Sequence, residues 1–306
     1  MYATIMVPLD GSAGSEHALQ FATRIAVRSK GRIVLVRAAS SHLAAGAGVH
    51  KSEAYLQATA DRLRELGVAA EVHVYQDNPV SAIVNAAELH ARVTGRSGIS
   101  EIQGLPRQMT DLIIMVTHAH SGVIGHFRGS VTEQVLGRVD MPVMVIPEQA
   151  AAWPLDRPVR VLVPMDGSSL SEIALSTGVS LAATFGGAVL ALQVVASPGE
   201  PLATAAVLSG AQASLERVAQ PFRVESTVIE TAACVGEATP AIINAVKEQA
   251  IDMLVLATHG STGHTATGLG SVAKGVLSGS TVPTVLVRPT ALQFDRAHKL
   301  AVAGHV

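Results

Sequence analysis

The sequence predicts an α/β protein of two consecutive domains, each a doubly wound parallel sheet with helices on both faces. Three observations lead to this prediction: the chain is internally duplicated, short apolar runs alternate with segments of helical periodicity, and those runs are apolar at nearly every position. Strands that are covered on both faces have such unbroken apolar sequences. Alternation of strands and helices favours right-handed crossovers between parallel strands, which produce a doubly wound sheet.

The duplication consists of five blocks that recur in the same order. The first block, TIMVPLDGSAGSEHAL at 4–19, matches VLVPMDGSSLSEIAL at 161–175. The other pairs are 31–39 with 187–195, 79–91 with 239–250, 111–122 with 252–263, and 129–147 with 270–289. Ile83 aligns with Ile242, an offset of 159, whereas Gly129 aligns with Gly270, an offset of 141, so the first half carries about 18 additional residues near 92–109. The chain is therefore a tandem repeat of about 145 residues.

The elements of the repeat are placed most clearly in the second half. Apolar runs predict strands at 160–164, 188–194, 224–230, 252–257 and 283–287. Helical periodicity predicts helices near 169–184, 201–219, 239–249 and 271–279. The predicted domains are 1–148 and 159–290, joined by a linker at 149–158 with two prolines and followed by a tail at 291–306. The additional segment 92–109 is predicted to be a surface loop, with a partner-binding element or a lid as the alternative.

Composition restricts the classes of function. The chain is 48% hydrophobic but only 3% aromatic, so its cores are predicted to consist of Val, Leu, Ile and Ala. The formal net charge is -2, and the absence of a long basic run argues against nucleic acid or a membrane surface as a partner. A single cysteine, Cys234, excludes an intrachain disulfide. No signal peptide is recognised and no run reaches the ~20 apolar residues of a membrane helix, so we expect a soluble, cytoplasmic protein.

A Val-Pro-x-Asp-Gly-Ser motif ends the first strand of each half, at 7–12 and 163–168. Proline ends the strand, glycine permits a tight turn, and Ser168 or Ser169 can cap the next helix. The ligand crevice of a doubly wound sheet opens at the carboxyl ends of its strands. The motif therefore predicts that Asp166 faces a ligand, and an aspartate that only holds the turn is the structural alternative.

The second motif is the stretch ATHGSTGHTATGLGS at 257–271, between the fourth strand and the last helix of the second half. Small residues at Ala257 and Gly260 let a ligand lie against the backbone, and Gly270 and Ser271 open the helix. The first N–H groups of a helix lack intrahelical partners and, with the positive end of its dipole, favour an anion. The stretch predicts a phosphate site, with a plain glycine-rich turn as the structural alternative, and it lacks the Gly-Lys-Ser/Thr of a Walker loop.

These motifs, together with the Gly-Ser-Val that opens the last helix and the final Val-Pro-Thr-Val-Leu-Val, resemble the universal stress protein family in both halves. The resemblance implies a Rossmann-like fold of the adenine-nucleotide α-hydrolase-like type. The ATP-binding branch of that family carries Gly-x2-Gly-x9-Gly-Ser/Thr. At these positions the second half has Ala257, Gly260, Gly270 and Ser271, and the first half has Val116, Ala119, Gly129 and Ser130. Because a β-branched side chain at 116 would stand where ribose lies, we expect the second half to bind nucleotide and the first to bind it weakly or not at all.

The resemblance also implies which residues would contact ATP. The nucleoside end would meet Pro164, Met165, Asp166 and, through its backbone, Val194. The ribose and phosphates would meet Ala257, Gly260, Gly270, Ser271 and Val272. A less favoured first-half site would comprise Asp10, Ala38, Gly129, Ser130 and Val131. ADP and AMP are alternative ligands, and Mg²⁺ would accompany the nucleotide.

The implied function is that of a stress-response protein that binds ATP and acts by regulation. No set of carboxylates for phosphoryl transfer and no nucleophilic triad is recognised. Two alternatives stay open: a scaffold that binds no nucleotide and acts through protein partners, and a slow ATP hydrolase. Histidines at 118, 120 and 126 raise the idea of zinc or nickel, but no cysteine or close carboxylate completes a ligand set, so no metal site is predicted; His259 and His264 lie in the second-half loop.

The final strands of the two halves, 142–146 and 283–287, are apolar and would be adhesive as free edges. The resemblance implies that they pair with each other in a pseudo-two-fold arrangement. Homodimerisation of the whole chain is left open.

Overall fold

The computed structural model describes residues 2–39, 47–93, 110–117, 131–154, 157–223, 227–258 and 269–288. The chain divides into two compact units, Met1–Glu148 and Gln149–Val306. Each unit contains five parallel strands with helices between them, so the predicted α/β class with doubly wound topology is confirmed.

The first unit is built from strands and helices that alternate along the chain. Its described strands are β1 (Thr4–Pro8), β2 (Arg32–Ala38), β3 (Ala69–Tyr75), β4 (Leu112–Thr117) and β5 (Val143–Pro147). Its described helices are α1 (Ala13–Glu16), α2 (Ala18–Ser29), α3 (Ala47–Glu65), α4 (Pro79–Val93) and α5 (Val131–Leu136). The strands are parallel in the order β3-β2-β1-β4-β5.

The second unit repeats this plan. Its described strands are β6 (Arg160–Met165), β7 (Ala188–Val195), β8 (Val228–Val235), β9 (Met253–Ala257) and β10 (Thr284–Val287). Its described helices are α6 (Ser169–Thr184), α7 (Pro201–Ala219), α8 (Ala238–Glu248) and α9 (Ser271–Gly279), with a 3-10 turn at Gln220–Phe222. The strands are parallel in the order β10-β9-β6-β7-β8.

The chain reverses its direction of winding beside the first strand of each unit. Because parallel crossovers are right-handed, the helices that lead outward to the third strand lie on one face of the sheet. The helices that lead to the fourth and fifth strands lie on the other face. Both faces of the central strands are thereby covered, which is why Ile5, Met6 and Val7 in β1 and Val161, Leu162 and Val163 in β6 are all fully buried.

One strand was placed wrongly from the sequence. The prediction of 224–230 is corrected to β8, Val228–Val235, which pairs residue for residue with β7. The second half of β8 is made of small and polar residues, Thr231–Cys234, that do not form a conspicuous apolar run. Pairing with β7 rather than local hydrophobicity sets its position. The helix bounds predicted at 169–184, 201–219 and 271–279 are confirmed.

Candidate functional site

The two central strands of the second unit separate at their carboxyl ends. The ladder between β6 and β9 joins only 161–162 to 253–254. Beyond that point β6 stays paired with β7 as far as Met165, and β9 stays paired with β10 as far as Ala257. A crevice therefore opens where the winding reverses, which is the position at which doubly wound sheets take their ligands.

The first unit opens in the same place. Its ladder between β1 and β4 joins only 5–6 to 112–113. Pairing of β1 with β2 continues to Pro8, and pairing of β4 with β5 continues to Thr117. The two halves thus share the backbone that a crevice requires and differ in the residues that line it.

One wall of the second-unit crevice is the turn after β6. Met165 is buried and Asp166 is exposed at the end of the strand. Gly167 has a φ of +79°, a conformation that favours glycine. Asp166 Oδ1 accepts hydrogen bonds from Ser168 N–H at 3.0 Å and from Ser168 Oγ at 2.5 Å. Asp166 therefore shapes the turn, as the structural alternative predicts, while it stands at the edge where a ligand would lie.

The serine after this turn caps the next helix in both units. Ser168 is the N-cap of α6, and its Oγ accepts from Ser171 N–H at 3.3 Å. In the first unit Asp10 Oδ1 accepts from Ser12 N–H at 2.8 Å, and Ser12 Oγ accepts from Ser15 N–H at 3.1 Å. The motif therefore has the same structural role in each half.

The opposite wall of the crevice is the start of α9. Gly270 is its N-cap, with ψ 159°, and this glycine makes no side-chain capping hydrogen bond. Gly270 N–H donates to the carbonyl of Thr258 at 2.8 Å, and Thr258 N–H donates to the carbonyl of Val287 at 2.9 Å. Buried Thr258 thus fixes the start of α9 directly beyond the end of β9.

The structure shows that the Gly270 amide is already engaged, which changes the role predicted for this residue. Because the Gly270 N–H is engaged with Thr258, the amides available to an anion are those that follow, beginning with Ser271 and Val272. Because Gly270 has no side chain, it leaves space for an anion to approach these amides. In the sequence, Thr258 belongs to the Thr-His-Gly that follows the fourth strand, but that motif predicts no role for its carbonyl.

The remaining wall residues lie at the ends of β6 and β7. Pro164 and Val194 are half-buried, and Val194 is the register partner of Cys234. Burial raises the pKa of the Cys234 thiol above its ordinary value. In the first unit, Ala38 occupies the position of Val194 and pairs with Tyr75, whose pKa is likewise raised by burial.

Three predicted site residues, Gly260, Gly129 and Ser130, lie outside the described residues, and so do the histidines at 118, 120, 126, 259 and 264. Val131 is the first residue of α5. Within the residues that the structure describes, no group of three or more His, Cys, Asp or Glu side chains could hold a metal ion. Among the same residues, no helix is long and apolar enough to cross a bilayer.

Comparison of the sequence with models of protein families identifies the family in which this repeated unit occurs. The model of the universal stress protein family matches residues 1–92, 107–147 and 159–288, well over half of the chain. The chain belongs to the universal stress protein family. Membership of this family supports a role in the stress response.

Relatives of the chain are also universal stress proteins. One from Mycobacterium tuberculosis (strain ATCC 25618 / H37Rv) is 27% identical over 184 residues, which cover 58% of this chain and 62% of that protein. One from Mycobacterium bovis (strain ATCC BAA-935 / AF2122/97) matches to the same extent. The chain thus spans 62% of the length of the curated relatives it matches.

Solved structures resemble the chain over nearly its whole length. A universal stress protein from Archaeoglobus fulgidus DSM 4304 has a TM-score of 0.68 at 20% identity, covering 94% of this chain and 99% of that chain. A putative universal stress protein from Pseudomonas aeruginosa UCBPP-PA14 has a TM-score of 0.68 at 17% identity, covering 98% of both chains. At such low identity the likeness shows the universal stress protein fold.

Proposed function

We propose that the second unit binds ATP and that this binding regulates the protein's action in the stress response. The observation that supports the proposal is the separation of β6 and β9 beside a helix that begins with glycine. ADP or AMP would fit the same crevice, and Mg²⁺ would accompany the phosphates. The proposed role is regulatory, since no set of metal-holding carboxylates for phosphoryl transfer was recognised in the sequence.

The start of α9 is the proposed phosphate site. Its first amides have no intrahelical acceptors, and the N-cap residue Gly270 has no side chain with which to cap them. Gly270 leaves room for a phosphate to approach these amides, and the helix dipole adds a favourable term of about 0.3–1 kcal/mol. The carbonyl of Thr258 holds the helix start in place before a ligand arrives, so little ordering is required on binding.

The charges on the last helix of each unit favour the second unit. Aligning Gly129 with Gly270 places Glu133 of α5 at the position of Lys274 of α9. Helical side chains lean toward the N-terminus of their helix. Lys274 therefore adds positive charge near the proposed phosphate site, whereas Glu133, in the first turn of α5, adds negative charge.

The nucleoside end of the proposed site is apolar. Pro164 and Val194 are half-buried and offer an apolar surface on which a base could pack, while Met165 is buried at the end of the same strand as Pro164. Asp166 has Oδ1 engaged with Ser168. It would therefore contribute to the nucleoside contact without leaving the turn that it supports.

Substitution of Gly270 by aspartate tests the site without disturbing the fold. Aspartate is a favoured N-cap residue, so Gly270→Asp should cap α9 with its own carboxylate, which would occupy the free amides and repel phosphate. Isothermal titration of the full chain with ATP and Mg²⁺ should give one site per chain. Gly270→Asp should weaken binding at least tenfold, about 1.4 kcal/mol.

The matched control is Gly129→Asp, at the aligned position of the first half. This variant should bind ATP as the unsubstituted chain does. Loss of binding in Gly129→Asp with retention in Gly270→Asp would contradict the proposal, as would the absence of any binding heat. Circular dichroism of both variants would establish that each is folded.

A scaffold that binds no nucleotide is the second candidate function. It is favoured by Ala257, which replaces the first glycine of the ATP-binding pattern, and by the engagement of Asp166 in its own turn. Analysis of the small molecules released from denatured, purified protein separates the candidates. Released ATP supports the proposal, ADP or AMP supports a slow hydrolase, and no nucleotide together with no titration heat supports the scaffold.

A further inference from the structure

Arg37 lies at the carboxyl end of β2, beside the Asp-Gly-Ser turn of the first unit. A Cβ on Gly11 would stand 2.7 Å from Nη1 and 3.0 Å from Nη2 of Arg37, so the guanidinium rests directly on the glycine. Gly11 has a φ of +90°, which itself favours glycine. On another side, the guanidinium carbon of Arg37 lies 4.8 Å from the ring centroid of Tyr55 on α3. These two contacts hold the cation in one place.

The neighbouring charged groups have partners of their own. Asp10 Oδ1 accepts from Ser12. Glu16 accepts from the Tyr55 hydroxyl at 2.8 Å and from Arg62 at 3.2 Å. Both carboxylates near Arg37 are therefore already supplied with donors.

Arg37 itself is half-buried, and within the described residues the structure gives its guanidinium neither a hydrogen bond nor an ion pair. By contrast, the half-buried Arg32 and Arg160 each reach a glutamate, at 2.7 and 3.0 Å. A guanidinium carries five N–H donors, so Arg37 can offer several donors to an acceptor that a ligand brings.

The second unit lacks this cation. The residue aligned with Arg37 is Gln193, whose Nε2 lies 3.8 Å from the position of a Cβ on Gly167. A polar side chain thus reaches over the same glycine in both units, and only the first unit gives it a charge. The charge is therefore not required by the turn.

We propose that the first unit binds the oxyanion group of a small ligand, a carboxylate or a phosphate, at Arg37. The planar fork of a guanidinium matches either group through paired hydrogen bonds. The site lies at the edge where β1 and β4 separate, so a ligand can reach it from the crevice. The proposal is independent of ATP binding by the second unit.

Arginine side-chain NMR tests the site directly. The full chain, labelled with ¹⁵N-arginine, is titrated with inorganic phosphate, with succinate and with sodium chloride at equal ionic strength. The Nε–Hε signal of Arg37 is assigned by its loss in Arg37→Gln, a variant that carries the residue found at 193 and should therefore fold. The Arg37 signal should shift saturably with at least one oxyanion and not with chloride.

Arg28, exposed on α2, provides the internal control for screening and weak surface binding. A saturable response to phosphate alone identifies a phosphate group, and a response to both probes identifies either oxyanion. The proposal is overturned if neither probe gives saturation, or if Arg28 and Arg37 respond alike.

Variants of Tyr55 test the surface on which the cation rests. Tyr55→Phe keeps the ring and should keep the affinity for the oxyanion within about twofold. Tyr55→Leu removes the ring and should weaken binding about twofold to fivefold, as loss of a cation–π contact predicts. Unchanged affinity in Tyr55→Leu would contradict the geometry proposed for Arg37.

Discussion

Asp10 and Asp166 illustrate how one residue can satisfy two interpretations. From the sequence, each aspartate faces a ligand or only holds a turn. In the structure each holds the turn through bonds from the serine two residues later, and each also stands at the edge of a crevice. Asp10 and Asp166 therefore share the structural role of holding the turn. Whether either aspartate also contacts a ligand depends on the other residues of its crevice.

Cys234 offers a measurable consequence of burial at this scale. It is the only cysteine of the chain, and burial raises the pKa of its thiol. Since the thiolate is the reactive form, a raised pKa lowers its fraction at neutral pH. We expect iodoacetamide to alkylate Cys234 more slowly than glutathione at pH 8, with the rate still rising above pH 9. Mass spectrometry of timed samples measures the rate, and a rate equal to that of glutathione would contradict the expectation.

Among the helices, two glycines differ in how closely they pack on other parts of the protein, a difference that helical periodicity alone does not predict. Gly178 in α6 faces β6, where a Cβ would lie 2.6 Å from Val163 Cγ2. Gly210 in α7 has no heavy atom within 4 Å of such a Cβ. The first glycine permits close contact of helix and sheet, and the second has no packing role.

These two glycines give a matched pair of variants. Gly178→Ala should lower the free energy of unfolding by about 1–3 kcal/mol because overpacking outweighs the gain in helix propensity. Gly210→Ala should raise it by about 0.5–1 kcal/mol, because only the propensity changes. Urea unfolding followed by circular dichroism measures both. Equal effects of the same sign would show that packing does not distinguish the two positions.

Most strand positions follow from the local sequence, whereas the position of β8 follows from its pairing with a distant strand. Most predicted strands lay near their observed positions, because continuous apolar runs record burial on both faces. The bounds of β8 were missed because its position follows from pairing with β7. Val228, 62% exposed, shows that the start of β8 is covered less completely than the central strands.

At the scale of the whole molecule, the residues predicted as a linker pack on the second unit. Trp153 is buried, its Nε1 donates to the carbonyl of Asp252 at 3.1 Å, and its ring meets that of Phe185 edge to face at 5.0 Å. Arg157 donates to both carboxylate oxygens of Asp252 at 2.8 Å. Asp252 also accepts from Arg160 N–H at 2.8 Å, so this segment is tied to the beginning of β6.

Two fragments test the contribution of this segment. Residues 149–306 keep Trp153 and Arg157, whereas residues 159–306 lose both. The shorter fragment should be less stable by about 3 kcal/mol, as expected for loss of a buried aromatic side chain and exposure of a partnered carboxylate. Urea unfolding by circular dichroism compares the two. Equal midpoints and slopes would contradict a stabilising role for the segment.

The duplication, the α/β class, the bounds of several helices and the two motifs at the strand ends could all be predicted from the sequence. These features arise from local periodicity and from the conformational preferences of proline, glycine and capping serine. Both can be recognised from residues that are close together in the sequence. Membership of the universal stress protein family confirms the resemblance. The assignment of ATP to the second unit and the pairing of the two final strands stay predictions.

Three features became visible only in the folded chain: the position of β8, the engagement of the Gly270 amide at the start of α9, and the placement of Arg37 and Gln193 over equivalent glycines. Each of these depends on atoms that are distant in sequence and meet only when the sheet forms. The residues adjacent to Thr258 and Arg37 in the sequence do not predict the contact of the Thr258 carbonyl with Gly270 or that of the Arg37 side chain with Gly11. Strand register and helix packing place them, and these are set by the sum of contacts across a whole unit.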